Sequence, residues 1–169
     1  GLAKEEQLKE SIGYFSGLGS RVVGYPGADQ AATFIQNAFE DLGLHKVDVH
    51  TYDISIPVEK GGFLRIEGSD RAVAVHGLWP NLVRTSTLPD GGVDVRLIDA
   101  TSGEFAAMNG QDVEGAFVLM DFNTGDNWLN PAYLGAAGVV FIEPDSTVYL
   151  EGERKFLTMP LDVPRLWVS

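Results

Sequence analysis

The sequence predicts an α/β fold, with α+β as the alternative. Amino-terminal helices are followed by a mixed β-sheet or barrel domain flanked by short helices. Three observations predict this. Helical periodicity marks residues 4–14 and 28–42. The apolar runs 116–120 and 139–142 read as strands covered on both faces. Between them lies a short helical segment, and strand, loop, helix, strand is a βαβ unit, which predicts a right-handed parallel crossover.

The elements follow in order. Residues 4–14 read as a helix, with Leu8, Ile12 and Phe15 at helical spacing and Glu5, Glu6, Lys9 and Glu10 on the wet face. The Gly- and Pro-rich stretch 20–27 is a structured loop. A second helix spans 28–42 on Ala31, Phe34, Ile35, Ala38, Phe39 and Leu42, with Gly43 placed as its C′ glycine. Residues 47–56 are a strand candidate of mixed polarity, an edge strand or a connector. Residues 63–67 and 71–75 are short strands joined by the Gly68-Ser69-Asp70 turn, and 76–92 is loop. A strand is expected over Val93, Val95, Leu97 and Ile98, then a short helix from Ser102 through Met108. Asn130-Pro131 should start a helix to Ala137, with Asn130 as N-cap. Residues 147–158 are charged and expected to be exposed. Residues 159–168 look like a closing strand edged by prolines. The domain division is 1–46, a helical segment, and 47–169, the sheet domain.

Composition narrows the function. With 12 Lys plus Arg against 24 Asp plus Glu, the net charge of −12 argues against nucleic acid and anionic membranes as partners. The absence of cysteine excludes disulfides, a thiolate nucleophile and a Cys-ligated zinc. No apolar run approaches the ~18 residues that span a bilayer, so membrane insertion is not expected.

Local motifs for catalysis are lacking. His45, His50 and His76 form no His-x-Asp or His-Glu-x-x-His pattern. No serine sits in a Gly-x-Ser-x-Gly elbow. Asp112 and Glu114 precede a strand and read as turn residues. Gly135-Ala136-Ala137-Gly138 lacks the Lys and Ser/Thr of a phosphate loop and reads as helix–sheet packing. The polar stretch 121–130 lies at the carboxyl end of a strand, where α/β sheets bind ligands. Its Asp121, Asn123, Asp126, Asn127, Trp128 and Asn130 are the candidates for contact with a partner or substrate. Three readings stay open: a polar loop whose Asp and Asn satisfy turn backbone, a calcium site departing from the EF-hand pattern, and a contact surface. Trp128 is either its aromatic anchor or a cover for the core edge.

Two stretches carry a family resemblance. Ser20-Arg21-x-x-Gly24-x-Pro26-Gly27, followed by Ala31-Ala32, Ile35, Phe39 and Leu42-Gly43-Leu44, resembles the amino-terminal segment of M28-family zinc aminopeptidases. The stretch from Asp112 through Gly115 to Met120 resembles a protease-associated (PA) domain. So do the stretch from Ala132 to Ile142 and the closing Met159-Pro160-Leu161-Asp162-Val163-Pro164. The resemblance implies a non-catalytic PA domain that shapes substrate access or mediates peptide or protein contacts, attached to the front of a secreted or periplasmic hydrolase. That parent would remove peptide amino termini with two zinc ions. Its His-x-Asp and paired glutamates have no counterpart here, so no catalytic or metal residue is carried over. The zinc ligands and the catalytic domain are expected beyond residue 169, and the chain is expected to be a piece of the parent with no enzyme activity of its own. The alternative is a stand-alone protein-binding or calcium-stabilised α/β module unrelated to peptidases.

Overall fold

A computed structural model describes residues 4–81, 83, 85–156 and 159–169. The chain divides into two compact units, one ending at Val58 and the other beginning at Glu59.

The first unit holds α1 (Glu5–Ser16) and α2 (Pro26–Asp41). Pro26, read from the sequence as loop, is the first residue of α2, where its missing N–H costs nothing and its fixed φ suits a helix. Gly27 is buried against the preceding loop, and a Cβ there would collide with the carbonyl oxygens of Leu18 and Ser20. The far end closes as a Schellman motif: Gly43, at φ +73°, donates to Glu40 O (2.8 Å) and Leu44 donates to Phe39 O (3.2 Å). Rings join the two helices, with Phe34 stacked on Tyr14 at 4.4 Å and edge-on to Phe15 at 5.1 Å. Residues 47–56 form no strand. Their alternation puts polar groups on both faces, and a strand needs a partner to accept its ladder.

The second unit is a six-stranded mixed sheet with short helices, which is the α/β class expected. Its strands are β1 (Gly62–Arg65), β2 (Ala72–Gly77), β3 (Leu97–Thr101), β4 (Phe117–Asp121), β5 (Gly138–Ile142) and β6 (Arg165–Val168), in the order β1-β2-β6-β5-β4-β3. β3 through β6 run parallel, each beside the next in sequence, while β2 is antiparallel to both β1 and β6. Register sorts the side chains. Phe117, Val140 and Leu166 share one face with Val75. Val118, Met120, Val139, Phe141 and Arg165 lie on the other. Both faces of β4 and β5 are covered, as their unbroken apolar runs require.

Several elements differ from the sequence reading. β3 begins at Leu97, not Val93, because only from there does it pair with β4. The expected helix from Ser102 is a 3₁₀ turn, Phe105–Met108, and the Ser102 hydroxyl accepts from Glu104 N–H at 3.4 Å. Asn130 is not an N-cap. The chain enters α3 (Leu129–Tyr133) already coiled, from a 3₁₀ turn over Gly125–Trp128, and the helix stops short of Ala137. Within 147–158 the structure forms α4 (Tyr149–Phe156), whose Lys155 is fully buried, so this charged segment is not simply exposed. The closing strand is confined to β6, since Pro160 and Pro164 have no N–H for a ladder. Residues 157 and 158 of the charged segment lie outside the described residues.

Candidate functional site

The carboxyl end of β4 carries the segment singled out by sequence, and neighbouring elements hold it. Asn123 is clamped from both sides of its amide: its Nδ2 donates to Ser146 O (2.8 Å) and its Oδ1 accepts from the Thr147 hydroxyl (2.6 Å). Gly125 N–H donates to Glu151 Oε2 on α4 (3.0 Å). Asn127 Nδ2 reaches Ser102 O (3.2 Å) and Asn130 Nδ2 reaches Gly103 O (2.9 Å), tying the turn to the end of β3. The asparagines therefore satisfy loop backbone, one of the three readings their spacing left open. The carboxylates face outward. Asp121 and Asp126 are exposed, and Asp126 stands 3.7 Å from Arg154.

Trp128 is placed differently from its reading as a contact anchor. Its side chain is fully buried, packed with Met120, Val139 and Phe141. The 3₁₀ turn rotates it inward while Asp126, two residues earlier, stays in solvent. Its role is that of a core residue.

Under the loop lies a group the sequence reading missed. Lys155 Nζ, fully buried, pairs with Glu151 Oε2 at 2.7 Å and sits over the rings of Phe122 (4.8 Å) and Phe141 (5.6 Å). Burial pushes the Lys155 ammonium below its ordinary pKa, opposed by the hydrogen bond and charge of Glu151. Burial alone would raise the Glu151 carboxyl, but its bonds from Lys155 and Gly125 and the charges of Lys155 and Arg154 outweigh that and hold it below its usual value. The i, i+4 spacing of Glu151 and Lys155 was the available signal, but the same spacing occurs on any solvated helix.

A second missed pair joins Glu59 to β2. Glu59 Oε1 accepts from Gly77 N–H at 3.0 Å and meets His76 Nδ1 at 3.1 Å, and the imidazole lies 4.6 Å from the Trp167 ring. The turn that brings residues 59 and 76 together leaves no motif. An open depression of about 330 Å³, lined by Phe105, Met108, Gln111, Val113, Glu114 and Leu134, lies at the opposite, amino end of β4. Among the described residues no three His, Asp or Glu side chains converge to hold a metal ion. Nor is any described helix long and apolar enough to cross a membrane.

No protein-family model matches the chain, and no curated protein is significantly similar to it. Among solved structures, the aminopeptidase from Aneurinibacillus sp. strain AM-1 is similar with a TM-score of 0.42 and 18% identity. The match covers 95% of this chain and 37% of that one, so the chain spans little more than a third of the length of that enzyme.

Proposed function

We propose that the sheet unit is a non-catalytic PA-type recognition domain and the helical unit the amino-terminal cap of an M28-like zinc aminopeptidase, a secreted or periplasmic parent. In this reading the zinc ions and the hydrolytic step belong to a part of the parent outside this sequence. The sheet unit contacts the peptide or protein being processed.

The observation that carries the reading is the clamped loop at the carboxyl end of β4. Four side-chain bonds from α4, the end of β3 and the segment after β5 fix it, so Asp121 and Asp126 are presented on a preorganised frame. Exposed carboxylates on a chain of charge −12 suit a cationic partner, such as a peptide amino terminus or a basic side chain. The quoted PA-like stretches also fall on successive parts of the parallel half of the mixed sheet: β4 with its lead-in, α3 with β5, and the approach to β6.

The test is titration of this chain with a short peptide bearing a free amino terminus and a lysine, followed by amide NMR. Shifts should concentrate on residues 121–128. The D121N/D126N double variant should bind about tenfold more weakly, a loss of about 1.4 kcal/mol. Shifts confined to other surfaces, or zinc-dependent hydrolysis of an aminoacyl substrate by this chain alone, would overturn the proposal.

A further inference from the structure

Arg165 opens β6 on the sheet face that carries Val139 and Phe141, and its side chain is fully buried. Nη1 donates to the Lys155 carbonyl near the end of α4. Nε and Nη2 are buried with no hydrogen-bond partner, and no salt bridge joins the guanidinium to a carboxylate among the described residues. Its neighbour is Trp128, whose ring centroid lies 5.9 Å from Arg165 Cζ. The Trp128 indole nitrogen is also buried and unpartnered. So is the hydroxyl of Thr124, at the head of the turn that carries Trp128.

A guanidinium stays charged in proteins, and a buried charge without a counter-charge is among the costliest arrangements a fold can hold. Lys155, also buried, has its counter-charge in Glu151. The unmet groups shown side by side, Arg165 Nε and Nη2 and the Trp128 indole N–H, are all donors, on a sheet face that also carries Met120, Val139 and Phe141. Water suits such a set poorly, because it brings two protons that need acceptors of their own. A halide has no protons, accepts from several directions, and supplies the missing charge. With Arg165 Cζ 5.9 Å from the Trp128 ring centroid, these unpartnered donors share one buried neighbourhood.

We propose that Arg165 and Trp128 form a buried site for a monatomic anion, chloride by size and charge, held by Arg165 Nε or Nη2 and the Trp128 indole N–H. Bound there, the anion ties together the start of β6, the end of α4 and the turn beneath the clamped loop. It is a structural ligand captured on folding, and stability rises with its concentration.

The experiment compares thermal unfolding in sodium chloride and sodium gluconate at constant ionic strength, with diffraction from crystals grown in sodium bromide. Raising chloride from about 1 mM to about 300 mM should raise Tm by about 4 °C in the wild-type chain, and R165M should lose that dependence. An anomalous bromide peak should lie between Arg165 and Trp128. Equal Tm in chloride and gluconate, an unchanged chloride dependence in R165M, or a water at that position with no bromide peak would each overturn the proposal. If R165M does not fold, the bromide diffraction from the wild-type chain decides.

Discussion

In α2 and at its C-cap, Phe34, Ile35, Phe39 and Leu42 recur at helical spacing, yet Phe39 remains 45% and Leu42 76% exposed. In β4 and β5, Val118, Met120, Val139, Val140 and Phe141 are wholly buried. Both patterns are clear in the sequence, and only one is closed by a second layer. Periodicity names the face that is apolar; burial depends on what the rest of the chain lays over it. The helical unit is joined by three rings, whereas the sheet unit has apolar clusters on both faces.

The largest effect should come from truncating the covered core. Trp128→Ala or Phe141→Ala should cost about 3–5 kcal/mol, while Phe39→Ala should cost less than about 1 kcal/mol, as surface substitutions do. All three tryptophans, Trp79, Trp128 and Trp167, fall after residue 58. Trp79 and Trp167 remain in Trp128→Ala, so urea titration followed by fluorescence reports the sheet unit, while far-UV circular dichroism follows α2. A cost for Phe39→Ala as large as that for Phe141→Ala would show that the face of α2 is covered in solution.

Ion pairs sharpen the contrast. Glu5–Lys9 on α1 and Glu151–Lys155 on α4 share the i, i+4 spacing and nearly the same length, 2.6 and 2.7 Å. The first pair is 82% and 75% exposed, the second 18% and 0%. Glu5→Gln should cost about 0.3 kcal/mol. Glu151→Gln strands a buried ammonium and should cost roughly 3 kcal/mol, the low end for a broken buried pair, because the carboxylate keeps some exposure. The pH dependence follows from the sign of the shift. Glu151 binds its proton less readily folded than unfolded, so its contribution is complete above the ordinary Glu value of about 4.3 and is lost as pH falls through the lower folded value. Acid titration of stability should therefore be less steep in E151Q below about pH 4. Identical acid limbs in the two proteins would remove Glu151 from the account.

Much of the sheet was legible because an unbroken run such as Phe117-Val118-Leu119-Met120 has few places to go except a strand covered twice. The loop at the end of β4 was legible for the same reason: it follows a readable strand. Its internal chemistry was not. Asn130 has the residue type and position of an N-cap, but the preceding 3₁₀ turn leaves it inside the helix, and its amide serves Gly103 instead. Lys155 looked solvated because its partners Gly125, Phe122 and Phe141 lie 14 to 33 positions earlier in sequence. Residues 47–56 misled in the opposite direction, since alternation without a partner strand leaves the chain irregular.

Two glycines give the finest comparison. At Gly138, opening β5, a Cβ would stand 2.7 Å from atoms of the Phe117 ring. That ring is 5% exposed and packed with Val75, Val140 and Leu166, so it has little room to yield. Gly138→Ala should cost about 1–3 kcal/mol by overpacking. At Gly13, inside α1, a Cβ meets nothing within 4 Å, and φ there is not positive. The same substitution adds a methyl that touches nothing, while restricting the unfolded chain and favouring helix. Gly13→Ala should therefore stabilise α1 by about 0.5–1 kcal/mol, read as a higher urea midpoint in the circular dichroism signal. The fluorescence midpoint should stay still if the helical unit unfolds separately. Movement of both midpoints together would show that one cooperative transition spans the chain. A lower midpoint in G13A would mean that another chain packs closely against this side of α1 in solution, where an added methyl would collide.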